Sequence, residues 1–248
     1  MSLSVLSVGF LLLLGLILGS FGSVLVTRLP KGKNIGGRSK CPGCKTQIQN
    51  RDLIPVVSYL LLRGKCRNCK RKISLRYPLL ELGSAAVIVL PSILEGYIDP
   101  FTVTLGLTLW IFLLLAVIDH DSQGIPDVLT LPLIAVSFFS SYFRGNLLWE
   151  GPILGGVFFG VQWLLSRGRV LGSGDILIGI AMGFILGSWL PTLIGIGLSY
   201  VIGAIAAGAL LITGKYNRKS RIAFVPYLFA GTMAGLLLGD RMIMFFIF

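Results

Sequence analysis

Charge is what this sequence lacks. Only 13% of its 248 residues are Asp, Glu, Lys or Arg, about half the roughly 25% of a soluble domain. That scarcity excludes a disordered tail, a coiled coil and an ordinary soluble enzyme. Histidine occurs once, at His120, so an H-E-x-x-H zinc protease is excluded. No G-x-S-x-G elbow is present. Ser–Lys chemistry stays open, although no Lys lies within an apolar run. Only ten acidic residues occur, so each one counts. What is abundant is apolar surface and glycine: mean hydropathy is +0.86 and glycine numbers 32, nearly twice the usual ~7%. Together they point to a polytopic membrane protein with closely packed helices.

The 22 basic residues are clustered. Fourteen lie between Arg28 and Arg76, two are Arg167 and Arg169, and four are Lys215, Arg218, Lys219 and Arg221, which leaves Arg144 and Arg241. Cytoplasmic loops collect Lys and Arg, so the three clusters are expected on the cytoplasmic side. This bias, with anionic-lipid contact, accounts for the net charge of +12 without nucleic acid. A span needs about 20 apolar residues. Eight segments qualify with some tolerance: Leu3–Val26, Pro78–Tyr97, Phe101–Ile118, Val128–Phe143, Pro152–Ser166, Ile176–Leu190, Thr192–Thr213 and one from Ala223 onward. The sixth and seventh are separated by little more than Pro191. No basic region precedes the first, so it reads as an uncleaved anchor. Eight crossings put both termini outside and the short polar loops Asp119–Asp127 and Arg167–Asp175 inside. No internal repeat or low-complexity tract is read.

All four cysteines lie in the first cytoplasmic loop, as Cys41-Pro-Gly-Cys44 and Cys66-Arg-Asn-Cys69. Two knuckles supply four thiolates for one tetrahedral zinc ion, a closed structural site. Two disulfides or a redox C-x-x-C would use the same spacing, but a reducing compartment disfavours disulfides. Lys40, Lys45, Lys65, Arg67, Lys70 and Arg71 would offset the anionic centre. Leu53–Leu62, between the knuckles, is too short to span and suits an interfacial helix or the module's core.

Four acids fall at the cytoplasmic helix ends: Asp119, Asp121, Asp127 and Asp175. Carboxylates at the edge of hydrocarbon are expensive and commonly functional. Each has a structural alternative except one. Asp127, after Pro126, and Asp175, after Gly172-Ser-Gly174, suit N-caps, and Asp121 suits a solvated loop. Asp119 sits at a helix C-terminus, where the macrodipole opposes an anion, so something must compensate it. Two carboxylates sharing a proton can hydrolyse a peptide bond, one activating water and the other polarising the carbonyl. Asp119 and Asp175 stand on separate helices, with Gly172 and Gly174 permitting close approach. On dipole grounds Asp119 would be the acid and Asp175 the base.

These residues together resemble the bacterial type IV prepilin peptidases, the leader peptidase/N-methyltransferases. The resemblance runs through Leu14–Phe21, Arg28-Leu-Pro30, the cysteine pairs, Ile54–Leu60, Arg76–Leu82, Ile118-Asp-His-Asp121, Pro126-Asp127, Leu129–Pro132 and Gly172-Ser-Gly-Asp175. It implies an all-α membrane protein: a first helix (1–27), a tetracysteine zinc module (28–77) and a transmembrane peptidase core (78–248). It implies an intramembrane aspartic peptidase of the bacterial inner membrane with Asp119 and Asp175 as the catalytic pair, supported by Asp121, Asp127, Gly172 and Gly174. The implied substrates are prepilins or pseudopilins with a short basic leader, cut on the cytoplasmic side after Gly. Methylation of the new N-terminus from S-adenosylmethionine is implied too, with the cysteine module involved and Gly64 matching a glycine linked to it. Ile178, Ser23 and Val225 depart from the family's usual Lys, Asn and Gly. A transporter or proton-coupled channel with a zinc-bound regulatory loop is the competing reading, and a structural pilus-assembly subunit a third.

Overall fold

The computed structural model describes residues 3–169, 171–214 and 222–247, with side chains up to Leu238. The basic cluster 215–221 lies outside the described residues, as does the side chain of Arg241. Among the described residues there is no strand, and nine α-helices form: α1 (Val5–Arg28), α2 (Val57–Leu61), α3 (Arg76–Glu95), α4 (Pro100–Ser122), α5 (Asp127–Phe143), α6 (Glu150–Ser166), α7 (Ser173–Leu186), α8 (Trp189–Ile212) and α9 (Val225–Ile247). The eight apolar segments each become one long helix. By length and composition, four of them (α1, α3, α4 and α8) can cross a membrane. The others run short.

Helix ends differ from the sequence reading at three places. The break between α7 and α8 falls at Gly187, whose φ of +84° admits glycine without strain; Pro191 sits inside the first turn of α8, where its missing N–H costs nothing. Asp119 and Asp121 belong to the last turn of α4, so the loop shortens to 123–126. Asp127 is the first helical residue of α5, not its cap; Pro126 holds the cap position and no side chain bonds the free N–H groups.

The chain forms two compact units, residues 1–99 and 100–248. In the first, α1 packs on α3 through glycine. A Cβ on Gly15 would lie 2.5 Å from the Ala85 Cα, and one on Gly19 2.6 Å from the Glu81 Cα. Small residues four apart let two backbones close to a distance that larger side chains forbid. After α1 the chain is pinned by Arg28, whose guanidinium donates to the carbonyls of Asn34, Ile35 and Gly36 at 3.3, 2.8 and 2.6 Å.

The cysteine module that follows carries a repeat that the sequence reading overlooked. Lys40-Cys-Pro-Gly-Cys-Lys-Thr-Gln-Ile48 and Lys65-Cys-Arg-Asn-Cys-Lys-Arg-Lys-Ile73 share Lys, both Cys, Lys and Ile. Each folds the same way. The Lys45 and Lys70 amides donate to the Cys41 and Cys66 carbonyls, Lys45 and Lys70 both have φ +58°, and the bridges Lys40–Gln47 and Lys65–Lys72 close both turns. The intervening Ile54, Val57, Leu60 and Leu61 are exposed, so this stretch is not the module's core and presents an apolar face, as the interfacial reading expects.

In the second unit α4 is the central helix, with Leu109, Phe112, Leu114, Leu115 and Ile118 fully buried. It packs on α5 and α9, while α7 packs on α5, α6, α8 and α9. The α6–α7 contact is again a glycine seam, Gly151 and Gly155 against Gly179 and Gly183, where a Cβ on Gly155 would strike the Gly179 carbonyl. Gly155→Leu is therefore expected to cost at least about 3 kcal/mol, the upper end for overpacking, read as a lowered unfolding temperature in detergent. Gly160→Leu, where a Cβ meets nothing within 4 Å, should leave it unchanged.

Candidate active site

Asp119 arrives on the last turn of α4 and Asp175 on the first turn of α7, and both are 6% exposed. The compensation that Asp119 requires comes from far along the chain. Its Oδ2 accepts the backbone N–H of Val225, the first residue of α9, at 3.0 Å. Asp175 is not an N-cap. It is the third helical residue of α7, and its Oδ2 reaches back to accept the N–H of Gly172, the cap residue, at 2.9 Å. Each carboxylate thus sits at the positive end of a helix. The dipole asymmetry expected between an acid Asp119 and a base Asp175 is offset, because Asp119 faces the start of α9 as well as the end of α4.

The two carboxylates come from different helices of the same compact unit. The α4–α5 loop brings α4 to α7: Ile125 lies against Gly174, where a Cβ would come within 2.9 Å of the Ile125 Cδ1. Gly174 has a packing reason to be glycine, and Gly172 supplies the N–H that Asp175 holds. Phe224, next to Val225, stacks near Phe159 and Tyr200, with ring centroids 6.3 and 5.1 Å apart. Asp121 and Asp127 are exposed and stand outside this cluster. Among the described residues neither Asp119 nor Asp175 makes an ion pair. Two buried carboxylates held by backbone N–H groups cannot both carry charge cheaply, which is the arrangement that a shared proton requires.

The four cysteines are free thiols whose sulfurs lie within 4.8 Å of one another. Cys41 Sγ and Cys69 Sγ are 3.8 Å apart. That is far beyond the ~2.05 Å of a disulfide, and it equals the edge of a tetrahedron whose metal–sulfur bonds are about 2.3 Å. The cluster can hold a metal ion. The Cys44 thiol is lowered to about 6 by hydrogen bonds to Thr46, and that of Cys66 is lowered by backbone hydrogen bonds from Cys69 and Asn68. Of the bases expected around it, Arg71 lies along Gly43, but Arg67 is engaged elsewhere, forked on Asp52 at 2.7–3.2 Å. Gly64 has a structural reason of its own: φ is +65°, and a Cβ would come 2.8 Å from the Tyr59 hydroxyl.

Three groups went unremarked in the sequence. Glu81 is buried in α3 and accepts the Val56 N–H at 2.7 Å; an acid inside an apolar run was a readable signal. Val56 itself has φ +59°, a strained position for a β-branched residue. The Val225 donor had no signal, since every residue but proline has an N–H. Tyr200 and Gln162 bond each other at 2.7 Å.

Residues 13–94 match the model of the bacterial peptidase A24 N-terminal domain, and residues 106–213 that of the type IV leader peptidase family. A prepilin leader peptidase/N-methyltransferase of Bacillus subtilis is 32% identical over 96% of this chain and 96% of its own length. The chain belongs to the type IV leader peptidase family. Proteins of the same designation from Pseudomonas aeruginosa (34% identical, 93% of this chain and 90% of that protein) and Neisseria gonorrhoeae (35%, 87% and 85%) are similar over nearly the same extent. No solved structure matches the chain. The two family models fall one on each compact unit.

The capping geometry makes a prediction that is independent of catalysis. Asp175→Ala loses the acceptor for Gly172 and should cost about 1 kcal/mol; Asp175→Asn keeps an oxygen there and should not. Thermal unfolding of the two purified variants compares them directly.

Proposed function

We propose that the chain is an intramembrane aspartic endopeptidase of the bacterial inner membrane. It removes the basic leader of type IV prepilins or pseudopilins after Gly, on the cytoplasmic side, and methylates the new N-terminus. The observation that carries the peptidase is a pair of buried carboxylates on separate helices of one compact unit, Asp119 and Asp175, each held by a backbone N–H. One carboxylate takes a proton from water. The other, protonated, hydrogen-bonds the scissile carbonyl and then protonates the departing amine. A dyad at helix ends can draw water from outside the hydrocarbon while meeting a bond where a substrate helix leaves it. In this reading residues 78–248 carry the peptide chemistry, Asp121 and Asp127 shape the polar rim, and both termini lie outside the cytoplasm.

Zinc suits the four thiolates of Cys41, Cys44, Cys66 and Cys69, where it would brace two matched turns and leave no position open for substrate. S-adenosylmethionine supplies an electrophilic methyl group; no residue of this chain is assigned to it, and Gly64 is accounted for by the fold of the module. The names of the relatives support methylation. Asp119 and Asp175 lie at helix ends rather than along a mid-bundle path, which favours hydrolysis over transport.

Purified protein in detergent should cleave a prepilin, and Asp119→Ala or Asp175→Ala should lower the rate about 10³-fold or more. Undiminished cleavage by either variant would sink the dyad. One zinc per chain is expected by elemental analysis, with loss in Cys41→Ser. Mass spectrometry of the mature N-terminus then reports whether that variant still methylates.

A further inference from the structure

A carboxylate dyad reaches a peptide carbonyl only when the substrate helix is opened around that bond. Each opened peptide group then needs a new partner for its N–H and C=O, because unsatisfied backbone in hydrocarbon costs several kcal/mol. The structure holds a pair of side chains suited to that need. Tyr200 of α8 donates its hydroxyl to Gln162 Oε1 of α6 at 2.7 Å. Tyr200 is 37% exposed and Gln162 is half-buried, among outward-facing Val161, Leu165 and Val201. A polar pair on an apolar outer surface is costly and calls for an explanation.

Its position supplies one. The Tyr200 ring lies 5.1 Å from that of Phe224, the residue before the Val225 amide that holds Asp119. The pair therefore flanks the dyad. Its unused valences match the N–H and C=O that one extended residue presents on the same edge. The Gln162 amide sends one N–H to the Phe158 carbonyl at 3.4 Å and has a second to give, while the phenol oxygen has lone pairs to accept.

We propose that Tyr200 and Gln162 form a subsite that holds the N–H and C=O of a single extended residue of the substrate beside the scissile bond. The inference rests on the peptidase reading above. Both residues position substrate and take no part in bond making.

The test pairs enzyme variants with backbone-edited substrates. Synthetic peptides spanning a prepilin cleavage site are made with one flanking amide at a time replaced by an ester, which removes that N–H. Tyr200→Phe keeps the ring against Phe224 and should lower kcat/KM about fivefold to tenfold on the all-amide peptide. At one ester position the wild-type enzyme should lose a similar factor, and Tyr200→Phe should then lose nothing more. Gln162→Met removes the donor to the substrate carbonyl, which the ester keeps, so it should lower kcat/KM by a similar factor on amide and ester peptides alike, with unfolding temperatures close to wild type. Tyr200→Phe losses that multiply with the ester loss at every position, or an unaffected Tyr200→Phe, would overturn the subsite while leaving the peptidase intact. An all-amide prepilin left uncut by the wild-type enzyme would overturn both.

Discussion

The hydrogen bond from the Val225 amide to the Asp119 carboxylate spans 106 positions of chain. It joins the end of the central helix to the start of the last described one. Without it, a buried carboxylate at a helix C-terminus would face the negative end of its own dipole with nothing in exchange. With it, the positive end of α9 is aimed at the acid. Asp175 solves the same problem locally by folding back on Gly172. The candidate site is thus two acids held in apolar surroundings by backbone donors, which unlike a lysine or arginine bring no full charge to suppress proton sharing.

Bringing those helix ends together depends on glycine. The α6–α7 seam lets α7 approach to backbone contact, and Gly174 admits Ile125 beside the α7 start. Close approach in a membrane cannot rely on the hydrophobic effect, since lipid is as apolar as leucine. It relies on van der Waals contact, which small residues allow over a longer interface. The high glycine content is in this sense a requirement of the site as well as of the fold.

The N-terminal unit follows a different economy. Its module has little apolar core, and its order comes from two repeated turns, four converging sulfurs, the forked Arg67–Asp52 pair and the Glu81 carboxylate that holds the strained Val56 amide. Glu81 ties the module to α3 at the point where α3 meets α1, so module and helical hairpin are one compact unit rather than a loop between two spans.

Much of this was readable in the sequence, because hydrocarbon imposes long apolar runs against which every acid and cysteine stands out. The eight helices, the cysteine pairs and the two acids were found that way. The 25-residue repeat was also readable, because Lys, both Cys, Lys and Ile recur at the same spacing in Lys40–Ile48 and Lys65–Ile73. The sequence alone determined which residues are apolar, which are ionisable and which are small enough to be crossed. Tertiary structure alone decided which backbone amide meets Asp119, that Asp127 stays outside the cluster, that Arg67 serves Asp52, and that Tyr200 finds Gln162. The reason is that side-chain type limits what a position can do, while partners distant in the chain are chosen by how helices pack, and a backbone N–H carries no mark in the sequence of the acid it will serve.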